Sequence, residues 1–304
     1  MEAVIGIDKE RGFPPGYLLA RLSVRKNKLF SPEQESALSG YSPSDIRELY
    51  FREYRWVFLQ LDAHMQKVFL PFFVYLELKT LITCIRFRHA EKGAQVLENL
   101  FLRSLIAKPL KKRIRKVKTV SALTSVIIAA VLDNPKTRQT VERDYRKSGM
   151  RALEKSLVEQ FLLQIMKQKQ APVIQEFFKV AIDNRNRTAL FEHLRWGVST
   201  DPVFLDGGTL KPSVLYRFFY EEGPAAMVPL FKASGDVFRK NPDARGFEQA
   251  QFAETERSIK KLCGKFPDKG AILDYLWRCY VVFGNLAIVK YGKEIHRDLI
   301  YFTG

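Results

Sequence analysis

The 304-residue chain carries 50 Lys+Arg against 33 Asp+Glu, a formal charge of 50 − 33 = +17, with 46% hydrophobic and 27% charged residues. That balance gives a substantial buried core and excludes a disordered chain, while the positive excess favours an anionic partner: nucleic acid, an acidic protein surface or phospholipid headgroups. Phe (23) outnumbers Gly (17), which suits helices with aromatic cores better than a turn-rich sandwich, and Cys84, Cys263 and Cys279, with no C-x-x-C spacing, argue against a disulfide framework or a zinc site and for a reducing cytoplasm.

In chain order, MEAVIGIDKERG mixes acids and bases without an uninterrupted apolar core, so no signal peptide is expected there. Ser42-Pro43-Ser44-Asp45 predicts a helix start: a Ser cap, a Pro at the first helical position and an acid three residues on. Ile46, Leu49, Tyr50, Tyr54, Val57, Phe58 and Leu61 then recur at helical spacing. The longest apolar runs, 68–76 and 126–132, fall short of the ~20 residues of a spanning helix. Asn134-Pro135 and Lys211-Pro212 predict further helix starts, and Gly149 and Gly223 predict helix stops. Helical faces return at 154–168, with Leu157, Phe161, Leu162 and Ile165, and at 271–290, with Ile272, Tyr275, Leu276, Cys279 and Phe283. Residues 1–16, 198–212, 223–224 and 239–247 read as loops, and no alternating strand pattern bounded by hairpin turns appears. The fold class expected is all-α, with no linker dividing the chain.

A short motif echoes three times: Glu77-x-x-Thr80-Leu81, Asp183-x-x-Asn186-Arg187 and Val282-x-x-Asn285-Leu286, at offsets of 183 − 77 = 106 and 282 − 183 = 99 residues. A helical unit of that length used three times accounts for it. The expected unit boundaries are 13–107, 108–212 and 213–304.

Signatures of catalysis are not found. There is no G-x-x-x-x-G-K-[ST] phosphate loop and no G-x-S-x-G elbow. Gly207-Gly208 reads as a turn. The histidines His64, His89, His193 and His296 are scattered without metal-ligand spacing, and His193, beside Leu190 and Leu194, reads as a satisfied structural residue. Glu221-Glu222 and Glu254/Glu256 read as solvated helix faces. No cofactor, metal or catalytic residue is assigned.

The strongest compositional feature is KPLKKRIRKVK at 108–118, with seven of eleven residues basic and no acid. A helix there carries a narrow apolar edge, Ile114 and Val117, and a broad basic face. The plain reading is a solvated surface. The functional one makes Lys111, Lys112, Arg113, Arg115, Lys116 and Lys118 partner-binding residues, docking on acidic protein loops or lipid headgroups, where each cation contributes ~1 kcal/mol. Nucleic-acid binding ranks third, since no aromatic-interleaved basic motif or helix-turn-helix accompanies the run.

Several segments together resemble the C subunit of V/A-type ATPases, called subunit d in the eukaryotic vacuolar enzyme. Residues 13–30 are similar to that family's opening through Tyr17, Leu18, Ala20, Arg21 and Arg25. Residues 76–93 resemble its first acid-x-x-Asn-Leu helix, with Thr80 in place of Asn. Residues 181–210 match best, through Asp183, Asn186, Thr188 and Phe191 followed by Phe204-Leu205-Asp206-Gly207-Gly208, and Asn285-Leu286 with Ile295 to Tyr301 complete the order. Arg187 stands where Leu is usual and Val282 where an acid is usual.

The resemblance implies three similar helical repeats around a pseudo-threefold axis, shaped like a funnel. It also implies a non-catalytic rotor subunit peripheral to the cytoplasmic face of the membrane. Such a subunit couples the central-stalk subunits to the membrane rotor ring and transmits torque while protons or sodium ions cross. Asn186 and Asn285 would bond within or between helices, and Asp183 would offset Arg185 or Arg187. The alternative kept open is a basic helical scaffold for nucleic acid or an anionic membrane; an unrecognised helical enzyme is the third.

Overall fold

The computed structural model describes residues 1–7, 12–29, 41–90, 94–196, 203–232 and 234–295. The described residues are all-α, with no strand and two isolated bridges, Ile5 with Ile106 and Phe13 with Leu61. Among the described residues, twelve α-helices and one 3₁₀ helix follow in order: α1 Pro15–Leu29, α2 Pro43–Gln60, α3 Ala63–His89, α4 Ala94–Arg103, α5 Lys108–Lys116, α6 Val120–Val131, α7 Pro135–Lys167, α8 Pro172–Trp196, α9 Pro212–Tyr216, the 3₁₀ helix Pro224–Leu230, α10 Gly235–Lys240, α11 Ala244–Lys265 and α12 Pro267–Ile295.

The chain forms two compact units, one of residues 1–20 and 47–174, the other of residues 21–46 and 175–304. These units do not coincide with the repeat boundaries 13–107, 108–212 and 213–304.

In the first unit, α3 is the central helix and packs against α4, α6 and α7. Asp62 caps it, accepting from Met65 N at 2.7 Å, and the buried Gln66 side chain donates to the Leu61 carbonyl at 3.0 Å. By length and composition α3 could cross a membrane, which the shorter uninterrupted runs in the sequence did not suggest; yet 72% of its apolar window is buried by protein. A helix apolar on every side is here a core helix. From α2, Tyr54 and Phe58 join Phe73 of α3, with ring centroids 6.2 and 5.0 Å apart. Just upstream, Phe13 N donates to Gln60 O at 2.9 Å, and Gly12 before it has φ 117°, where a Cβ would stand 2.3 Å from the Leu61 carbonyl oxygen. Only glycine fits there.

The start signals at Ser42-Pro43 and Asn134-Pro135 and the stop signal at Gly149 fold as read. Ser42 and Asp45 cap α2 reciprocally, Ser42 N donating to Asp45 Oδ2 at 3.0 Å and Asp45 N to Ser42 Oγ at 3.3 Å. Asn134 caps α7 through Lys136 N at 2.8 Å, with Pro135 behind it. Gly149, at φ 73° and ψ −157°, breaks α7, and the Ser156 hydroxyl donates to Asp144 across the break at 2.7 Å.

In the second unit, α11 and α12 are joined by Phe266 alone and pack along each other. An aromatic cluster centres on Phe247, 4.2 Å from Phe191 and 5.7 Å from Phe231, with Phe238, Leu215 and Met227 around it. The sequence expectations are adjusted in three places. Lys211-Pro212 starts a helix of only five residues, Gly223 (φ 74°) leads into the 3₁₀ helix, and the loop read at 239–247 shrinks to Asn241–Asp243 because Asp243 caps α11 through Gly246 N at 2.8 Å. Of the loop 198–212, residues 198–202 lie outside the described residues.

Candidate functional site

The acid of the first echo, Glu77, sits mid-way along α3 and is fully buried. Its Oε1 accepts from the Tyr54 hydroxyl and from Leu105 N (2.6 Å), two residues past the end of α4. Thr80, one turn on, lies close enough to lower the carboxyl's pKa but outside hydrogen-bonding geometry, so Glu77 Oε2 and Thr80 Oγ1 have no partner. Desolvation outweighs these bonds and the nearby Lys111 charge, and it holds the Glu77 carboxyl above its ordinary pKa. Burial, then Glu77, pushes the Tyr54 phenol well above its own. The same two causes push the Cys84 thiol up to about 12, leaving it inert at neutral pH.

The second echo does the same work in the other unit. Asp183 on α8, 3% exposed, accepts from Leu210 N at 2.9 Å and from the Thr209 hydroxyl. Asn186, fully buried, takes both backbone groups of Leu205, donating to its carbonyl at 2.9 Å and accepting from its N–H at 2.7 Å. The turn Gly207-Gly208 lies directly over Asp183: Gly207 has φ 99°, and a Cβ on Gly208 would stand 2.2 Å from Asp183 Oδ1. The expectation that Asn186 bonds within or between helices is thus corrected: its partner is the 203–210 loop, whose backbone groups no helix supplies with partners.

Nor is Asp183 ion-paired with Arg185 or Arg187; its oxygens are taken by the loop. Arg187 is 4% exposed, stacks over the Phe231 ring at 5.2 Å, donates to Asn184 Oδ1 at 3.2 Å and has an unpartnered Nε. Desolvation lowers its pKa against the opposing fields of Asp183 and Glu254. The third echo ends in side chains, Asn285 and Leu286, that lie outside the described residues, as do residues 296–301.

The basic run forms α5, which buries Leu110 and Ile114, not the expected pair Ile114 and Val117. The structure divides the six residues assigned to partner binding. Lys111 is half-buried, donating to the carbonyls of Phe101 and Ser104 (3.2 Å to the latter) over the Phe101 ring, and desolvation lowers its pKa. Arg115 makes a bidentate pair with Glu98, both bonds 2.6 Å, which raises the Arg115 pKa and lowers that of Glu98. Lys112, Arg113, Lys116 and Lys118 are exposed and take no ion pair or hydrogen bond, and Lys108 joins them.

Other sequence readings change. His193 stacks on Phe219 at 4.2 Å with its buried Nδ1 unpartnered, so it is structural without being satisfied. Glu254 is buried, not solvated, and accepts from Ser234 N (3.3 Å) and Oγ (3.2 Å), while Glu256 pairs with Lys260. Glu221 and Glu222 are exposed on a turn. Among the described residues, no three His, Cys, Asp or Glu side chains come together to hold a metal ion.

Sequence reasoning missed the targets of Glu77, Asp183 and Asn186, because each bond spans 19 to 28 residues. The one signal was an acid set between leucines in LELKTL. No protein-family model matches the chain, and no curated protein matches it.

Proposed function

We propose that this chain is the non-catalytic rotor-coupling subunit of a V/A-type ATPase, joining the central stalk to the membrane rotor ring and transmitting torque for proton or sodium transport. On this reading the fold is three helical repeats around a pseudo-threefold axis, forming a funnel, and the protein sits peripherally on the cytoplasmic face. The observation that carries it is the duplicated clamp. A buried helix acid grips a Leu backbone amide 28 residues on in one unit (Glu77 to Leu105) and 27 residues on in the other (Asp183 to Leu210). Each loop then runs into a helix opened by a Lys-Pro pair, Lys108-Pro109 as its first two residues and Lys211-Pro212 as its cap and first residue.

The chemistry of these sites suits a coupler. Their carboxylates and amides are spent on the chain's own backbone, which ties loops rigidly to helices. Stiffness of this kind, added to packed aromatic cores, lets a subunit pass on torque without deforming. The test is co-purification from detergent-solubilised membranes: the tagged chain brings down central-stalk and ring subunits. A tagged chain recovered free of any ATPase subunit overturns the reading.

A second reading, a basic scaffold for nucleic acid or an anionic membrane, draws on the charge distribution. The first unit holds 27 Lys+Arg and 14 Asp+Glu, 27 − 14 = +13, against 23 − 19 = +4 in the second.

A further inference from the structure

We infer that the free cationic face of α5 is a docking surface for anionic phospholipid headgroups. The helix is fixed in its roll from below. Leu110 and Ile114 are buried, Lys111 is turned inward onto the Phe101 and Ser104 carbonyls, and Arg115 is clamped by Glu98. With Leu110, Ile114 and Lys111 turned inward and the exposed Arg115 held sideways on Glu98, Lys108, Lys112, Arg113 and Lys116 point outward, and Lys118 follows just past the helix end; all five are exposed and without partners. Lys108, Lys112 and Lys116 recur every fourth residue and so form one line along the helix, with ammonium groups about 6 Å apart in rise. Arg113 and Lys118 widen that line into a face, and no acidic residue occurs between Glu98 and Asp133.

The chemistry of the face selects its partner. Four of the five free cations are lysines, compact point charges without the planar fork that reads a carboxylate or a base edge, and the neighbouring fork, Arg115, is closed by Glu98. Between residues 101 and 120 the only aromatic is Phe101, which is buried, so no platform is offered to stack the bases of a single strand. What remains is charge density along an exposed helix face, which a layer of anionic headgroups complements. Because Leu110 and Ile114 face the protein core, the contact stays at headgroup level and inserts nothing into the acyl chains.

The inference rests on the rotor reading only for where α5 meets a membrane; the binding is a property of the isolated chain. It is tested by sedimenting the full chain with vesicles of phosphatidylcholine alone and of phosphatidylcholine mixed with phosphatidylglycerol. The expected result is binding to the mixed vesicles alone, weakening steeply with salt. Neutralising each cation lowers partitioning about fivefold, so K112Q/R113Q/K116Q lowers it roughly a hundredfold. K112R/K116R retains it, and an unchanged circular dichroism melt shows that the triple variant is folded.

Equal binding to both vesicle types, or undiminished binding by the folded triple variant, overturns the inference. So does salt-dependent binding of duplex DNA through these residues without vesicle binding, which assigns the face to nucleic acid. Vesicle binding together with failure to co-purify ATPase subunits removes the rotor reading alone.

Discussion

Replacing Asn186 with alanine removes both hydrogen bonds that hold Leu205, at 2.9 and 2.7 Å, and leaves the Leu205 N–H and C=O without partners. Leu205 is 5% exposed and Asn186 fully buried, so water does not replace the amide without rearrangement. Each buried backbone group left unsatisfied costs about 1–3 kcal/mol, which puts the loss at roughly 2–6 kcal/mol. Asn186→Asp keeps the acceptor for Leu205 N but cannot donate to Leu205 O when ionised, and it buries a charge, so it is at least as damaging at neutral pH as at acid pH. Guanidinium unfolding followed by circular dichroism gives the global cost. Hydrogen exchange at the Leu205 amide gives the local one, with protection lost before that of α11. A folded Asn186→Ala protein destabilised by less than about 1 kcal/mol, with the Leu205 amide still protected, refutes the clamp.

The second clamp makes a coupled prediction. Gly208→Ala places a Cβ against Asp183 Oδ1 and destabilises the protein, while the same change in an Asp183→Ala background costs less; additive thermal shifts contradict this. Glu77 sets a pH dependence. Its pKa is raised on folding by desolvation, so above the unfolded value near 4.5 the native state holds more of the proton, and stability falls as pH rises until the folded pKa is passed. Glu77→Gln removes that slope, and parallel pH profiles of unfolding for the two proteins contradict the assignment. On α5, Lys111→Ala frees two carbonyls and destabilises by about 1–3 kcal/mol, whereas Lys112→Ala stays within about 0.5 kcal/mol. Equal costs contradict the division of the basic run into anchors and free cations.

What the sequence made legible was local. Ser42 with Asp45, Asn134-Pro135 and Gly149 announce helix ends because capping and a positive φ depend on residues within one turn. The apolar faces around Tyr54, Phe161 and Tyr275 were readable for the same reason, since burial follows the helical period. The basic run looked uniform because composition does not reveal the roll of a helix; packing of Leu110 and Ile114 decides that Lys111 turns inward and Lys112 outward, while Arg115 stays at the surface on Glu98. Likewise Asp183 was expected to offset Arg185 or Arg187 close by in sequence, yet the carboxylate bonds to a loop 26 and 27 residues downstream. The turn Gly207-Gly208 was read correctly as a turn, but its reason, the carboxylate beneath it, belongs to tertiary structure.

The central claim, torque coupling between stalk and ring, is tested most directly in membrane vesicles from cells lacking this chain. The account predicts that ATP hydrolysis by the catalytic head persists while ATP-driven ion uptake is lost, and that adding back the wild-type protein restores uptake. Ion uptake undiminished without the chain contradicts it.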